Sequence, residues 1–187
     1  MLPAIDWEPA STNLVMTELD DRTGVSFRRT KYGGHDVALG QAIVSGYHTW
    51  TVKTPNTNAN AFVGVAAADC DKFTYPAGTT AWTVCIHDGT LCSGVAQRDW
   101  NKAAPHSMYG LSAAGKGSKS SAWLRHHRGP FPRGTAVDVI LDMQAHTLSF
   151  AIGDADPQLA YTDLPSVVYP YVCSGEVDDR SLMIVTD

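Results

Sequence analysis

Apolar and polar residues alternate most cleanly along residues 136–153. Val137, Val139 and Leu141 alternate with Asp138, Ile140 and Asp142. After a short break, Leu148, Phe150 and Ile152 alternate with Thr147, Ser149 and Ala151. A side-chain period of two predicts two antiparallel strands, each with one face on a core. Residues 142–146 are short enough to reverse the chain as a hairpin loop, although they lack the Asn-Gly or Asp-Gly pair that favours the tightest turns. Further strand-like segments fall at 49–52, 61–66, 82–86, 167–172 and 182–185, separated by Pro, Gly, Asn and Asp clusters. No segment holds a long helical period, so the pattern predicts an all-β chain.

Composition narrows the class. At 187 residues, with 44% hydrophobic and 18% charged residues, the chain fits one globular domain with a substantial core. The net charge of -5 gives no electrostatic reason to expect nucleic acid or an anionic membrane as partner. The longest apolar run, 61–68, falls well short of the roughly 18 residues of a membrane span. The first residues have neither a basic region nor a long apolar stretch, so a cytoplasmic protein is expected, with the nucleus the other compartment open to it.

The candidate chemistry is sparse. Cys70, Cys85, Cys92 and Cys173 form no Cys-x-x-Cys pair, and the expectation is free thiols acting as small hydrophobes. Cys85, His87 and Cys92 fall short of a zinc set because no fourth ligand stands near them. Asp138 and Asp142, four apart on one strand, lie about 13 Å from each other, too far for a glycosidase pair. Asp142 reads as a turn cap. No nucleophile elbow, phosphate-binding glycine loop or complete calcium loop occurs, so neither an enzyme nor a cofactor is expected.

Several short motifs follow one another in a telling order. Gly46-Tyr47-His48-Thr49-Trp50 precedes a strand, Val63-Gly64-Val65-Ala66 lies inside one, and Trp82 opens one. His87-Asp88-Gly89-Thr90-Leu91 makes a turn, the 136–153 pair follows, and Tyr169-Pro170 stands near the end. Together these resemble the SPRY domain, called B30.2 when a PRY part leads it. Trp7-Glu8-Pro9, Asn13-Leu14-Val15 and Phe27-Arg28-Arg29 are similar to the leading segment of SPRY domains in SOCS-box (GUSTAVUS-like) proteins. The resemblance implies a two-sheet antiparallel β-sandwich of concanavalin-like, lectin-like architecture. It would be one domain over 1–187, with a PRY-like leading segment at 1–45 and a SPRY core at 46–187. Trp50 and Trp82 are then expected in the core.

Residues 95–128, rich in Gly, Ser, Ala, Lys and His, look like a loop insertion in that scheme. Trp100, Met108, Tyr109 and Trp123 are large apolar groups that dock on the sandwich or on a partner, and Trp100 and Tyr109 count as candidate partner contacts. The resemblance further implies a peptide or protein ligand held by loops at one end of the sandwich. Arg29 and Tyr75 match two positions of the SOCS-box type of pocket. The third, a Val-Trp-Gly turn, is replaced here by 174–180 with Glu176, Asp178 and Asp179. These carboxylates favour a basic ligand over an acidic one, which makes Glu176 and Asp178 candidate contacts. A monomer is expected. The alternative is a lectin-like or small-ligand binder, for which Asn56, Asn58 and Asn60 near Tyr75 are the candidates.

Overall fold

The computed structural model describes residues 5–19, 24–31, 34–55, 61–73, 76, 79–87, 89, 91–93, 131–176 and 183–186. Thirteen strands occur among them. The first four are β1 (Trp7–Pro9), β2 (Leu14–Glu18), β3 (Gly24–Arg29) and β4 (Asp36–Gly40), and β5 (Tyr47–Lys53), β6 (Ala61–Ala66), β7 (Ala81–Cys85) and β8 (Leu91–Cys92) follow. The rest are β9 (Ala136–Asp142), β10 (Thr147–Ile152), β11 (Gln158–Tyr161), β12 (Tyr169–Ser174) and β13 (Met183–Thr186). All pairings are antiparallel, in a six-stranded sheet of order β1-β4-β12-β6-β7-β8 and a seven-stranded sheet of order β11-β10-β9-β5-β13-β3-β2. The expected two-sheet sandwich is therefore observed. No helix among the described residues is long and apolar enough to cross a membrane.

The β9–β10 hairpin forms where the alternation placed it, with Val139 opposite Phe150 and Leu141 opposite Leu148, all four buried. Asp142 caps the loop, its Oδ1 accepting the Gln144 and Ala145 amides at 2.9 and 3.0 Å. His146 closes it with φ 54°, a left-handed conformation that His tolerates better than most non-glycine residues. Its ring Nδ1 lies 2.9 Å from the Leu164 carbonyl. Four strands appear within 1–45, where the periodicity predicts none. The strand expected at 167–172 runs instead as β12, with Val168 making an isolated bridge to Ile43.

The two sheets differ in how they are buried. Strand β9 alternates between buried and half-exposed, whereas β4, β6 and β7 are buried at every position. Between the sheets Trp50, Phe27, Val63, Val84, Leu148 and Phe150 belong to one core. A second cluster, including Val37, Phe62, Tyr171 and all four cysteines, lies on the far face of the six-stranded sheet. The cysteines are free and buried, as expected, and burial pushes the Cys173 thiol up to about 12. Among the described residues no three His, Cys, Asp or Glu side chains converge as a metal would need.

Gly64 in β6 marks the tightest point of that sheet. A Cβ there would stand 2.0 Å from the Trp82 carbonyl oxygen, and its φ of +154° is rare for other residues. Neither strand can retreat, because β6 and β7 both pack on the two apolar clusters. Gly64→Ala is therefore expected to lower unfolding stability by about 2–3 kcal/mol, measured by urea denaturation. Ser149→Ala, on the half-exposed face of β10, should stay within about 0.5 kcal/mol of wild type.

Candidate functional site

Arg29 ends β3 in the seven-stranded sheet and Asp36 opens β4 in the six-stranded sheet. Their side chains meet between the layers, Arg29 Nε donating to Asp36 Oδ2 at 2.5 Å, with both groups almost fully buried. Burial removes water from both charges, which makes pairing obligatory and additional hydrogen bonds necessary. Ser11 Oγ donates to Asp36 Oδ1 at 2.7 Å and itself accepts the Asn13 amide at 3.2 Å. Arg29 Nη1 donates to the Gly175 carbonyl at 3.0 Å, just past the end of β12. The pair thereby holds the end of β12, the start of β4 and the turn before β2 in one place.

Two neighbouring segments adjoin the strands and the loop that this clamp joins. Thr30 donates its amide to the Asn13 carbonyl at 2.8 Å, tying 30–31 to the same turn. The loop after β6 turns back over the far face of the six-stranded sheet, with Cys70 in the second apolar cluster. Within it the Asp71 amide donates to Thr79 Oγ1, and Asp71 Oδ1 accepts the Phe73 amide at 2.9 Å. A Cβ on Gly34 would lie 3.6 Å from the Phe73 carbonyl oxygen, so this loop abuts the one between β3 and β4. Phe73 is 56% exposed there. Glu176 is half-buried one residue beyond the Gly175 contact.

The sequence-derived candidates divide as follows. Arg29 points inward, 1% exposed, and is spent on Asp36 and on the Gly175 carbonyl. Glu176 is on the rim. Tyr75, Trp100, Tyr109 and Asp178 lie outside the described residues, as do the 95–128 insertion and Asn56, Asn58 and Asn60. Trp50 and Trp82 are core residues, as expected. Three contributors escaped the sequence reading: Asp36, Ser11 and Phe73. An acid opening the apolar run 36–39, seven residues after a strand-end arginine, is the signal for Asp36. No comparable signal marks Ser11.

His35 adjoins the clamp and is half-buried. Burial and then the Arg29 charge hold its pKa below the ordinary 6.5, with Asp36 pulling weakly the other way. A separate concavity of about 440 Å³ lies near the other end of β4, with Asp6, Glu8, Gln41, Lys72 and Tyr169 among its walls.

A family model described as the SPRY domain matches residues 47–185. Among solved structures, the SPRY domain of human HERC1 aligns with a TM-score of 0.60 at 19% identity, over 92% of this chain and 92% of that one. The stonustoxin structure aligns with a TM-score of 0.57 at 14% identity, and 98% of this chain covers 27% of that chain. The PSpry domain of TRIM65 aligns with a TM-score of 0.55 at 13% identity, over 98% and 91% of the two chains. At these identities the likeness is one of fold. No curated protein sequence matches the chain.

Two outcomes test the clamp. Asp36→Ala leaves the Arg29 charge buried and unpaired and should cost about 3–5 kcal/mol in urea unfolding. The Arg29→Met, Asp36→Leu double variant should cost clearly less than the sum of the single changes. The second outcome concerns pH. His35 is deprotonated more readily folded than unfolded, so the unfolded chain binds the extra proton first as pH falls. Stability should therefore drop below about pH 6.5 and level off once the folded imidazole is itself protonated. In melting temperatures from pH 8 to 5, the wild-type minus His35→Gln difference should show this fall, and a flat difference would contradict it.

Proposed function

The chain belongs to the SPRY family, and on that premise we propose that it recognises a basic peptide or protein segment through the clamped loop end of its sandwich. SPRY domains are generally protein-interaction modules rather than catalysts. The observation that carries the finer reading is the meeting of the Ser11–Asn13 turn and the Gly175 segment at the Arg29–Asp36 pair, with exposed Phe73 against the β3–β4 loop and half-buried Glu176 beside Gly175. Loops fixed by a buried ion pair meet a ligand with little ordering cost, the usual way in which a rigid scaffold presents a binding surface.

Each side chain has a distinct role in this reading. Phe73 and Tyr75 supply apolar and aromatic contact from one loop, and aromatic anchors of this kind dominate interface energetics. Glu176 and Asp178 set the preference for positive charge. Trp100 and Tyr109 add contacts from the insertion. Arg29 keeps its place in the SOCS-box type of pocket but works by positioning Gly175. The missing tryptophan turn separates this ligand preference from the acidic one of that group. The module acts without catalysis, in the cytoplasm, as the substrate-recognition or scaffold part of a larger protein or assembly.

The test is capture of partners from source-cell lysate on wild-type domain, beside a Tyr75→Ala, Glu176→Lys variant with an unchanged melting temperature. Recovered proteins are identified and quantified by mass spectrometry. Specific partners should be depleted about tenfold or more on the variant, which corresponds to loss of a single anchor. Equal recovery on both baits would refute the loop-end site.

A further inference from the structure

Among the described residues four strands edge the two sheets, and three of them are poor templates for further pairing. β1 has three residues ending in Pro9, which lacks an amide hydrogen. β8 has two residues. β11 has four, and its pairing with β10 shifts register between Leu148 and Ser149. β2 is different, with five residues, unbroken register against β3, no proline, and a single charge, Glu18, at its end. Natural sheets usually guard such an edge with charge, proline or a bulge.

The hydrogen-bond phase of β2 follows from its ends. The Thr30 amide donates to the Asn13 carbonyl and the Leu19 amide to the Gly24 carbonyl. In an antiparallel ladder the bonded pairs recur every second residue, so Val15 and Thr17 bond inward to β3. The amides and carbonyls of Met16 and Glu18 then point away from the sheet, and among the described residues no strand receives them.

We propose that this edge pairs antiparallel with β2 of a second copy of the chain, about a two-fold axis at Met16. The phase permits it, because a dyad through a residue with both backbone groups outward gives a doubly bonded Met16–Met16 pair. The register is self-complementary. Leu14 falls opposite Glu18 and Val15 opposite Thr17, with no like charges facing each other. Val15, 43% exposed, gains cross-strand cover, and the half-buried Met16 side chains meet on the core side. A five-residue pairing buries less than the roughly 1,200 Å² of a standard stable interface, so the dimer is weak and the protein monomeric when dilute.

Sedimentation equilibrium from micromolar up to on the order of 1 mM tests this on the intact chain. Reversible monomer–dimer behaviour is expected. Val15→Glu with Thr17→Glu sets like charges opposite each other twice across the axis and should weaken the dimer roughly tenfold. Val15→Glu with Thr17→Lys sets opposite charges there and should restore or strengthen it. Both pairs lie on the exposed face, where Val15 neighbours Arg28 across β3, so the fold should persist in each, as circular dichroism would check. Met16→Pro removes an outward amide that β3 does not use and should abolish dimerisation. A protein that stays monomeric throughout overturns the proposal and leaves the edge to a strand of another protein. A dimer indifferent to the charge pairs overturns it as well.

Discussion

A buried charge cannot stand alone, and the ends of this sandwich are organised by that constraint at Arg29. Its guanidinium lies between the sheets, 1% exposed, where only a carboxylate and further acceptors make its desolvation bearable. Asp36 supplies the carboxylate from the opposite sheet, Gly175 a carbonyl, and Ser11 the hydrogen bond that satisfies the second carboxylate oxygen. An apolar contact at this position would tolerate sliding. Directional hydrogen bonds from one guanidinium to a carboxylate and a carbonyl do not, and they fix the ends of β3 and β12 against the start of β4. The Ser11–Asn13 turn and the Gly175 segment inherit that precision at one end of the sandwich.

The asymmetry between the sheets has a different origin. The seven-stranded sheet buries one face, so its strands alternate. The six-stranded sheet carries Val37, Phe62, Tyr171 and the cysteines on its far face, with Cys70 of the loop after β6 packed among them. Strands buried on both sides lose the polar positions that mark an outward face. Small side chains then become necessary wherever backbones approach closely, which accounts for Gly64 against Trp82 and for cysteine and alanine along β7. Burial raises the pKa of Cys70 and Cys173, and both lie in the apolar cluster, where their part is packing.

How much of this was legible in the sequence follows from the same physics. The β9–β10 hairpin was readable to within one residue, β9 running on to Asp142, because one of its faces meets the core and the other water. β6 and β7 were readable only as apolar runs. β4 was missed, although Val37, Ala38 and Leu39 form such a run. β2 and β3 were missed because an arginine occupies an inward position and breaks the apolar count at Arg29. The family resemblance placed Arg29 at the binding end, yet nothing local says whether a strand-end arginine faces a ligand or a counter-ion. That depends on Asp36, which reaches it from the other sheet. Ser11 joins through tertiary contact alone. Phe73 was overlooked beside Tyr75, since an exposed ring and a buried one look alike in sequence.

The clamp and the β2 edge are mechanically linked, because β2 leaves the clamp directly: Leu14 pairs with Arg29, and the Ser11–Asn13 turn carries the bond to Asp36. In a dimer joined at β2 the two strands run in opposite directions, so the two clamped ends face away from each other. Such a pair cannot grip two neighbouring segments of one short peptide. It can bridge two separate partners, or two distant sites on one extended partner, where the second contact benefits from an effective concentration set by their spacing. Under the proposed pairing, ends directed apart and joined by a weak edge would favour bridging, with ligand density governing assembly more than the affinity of one site.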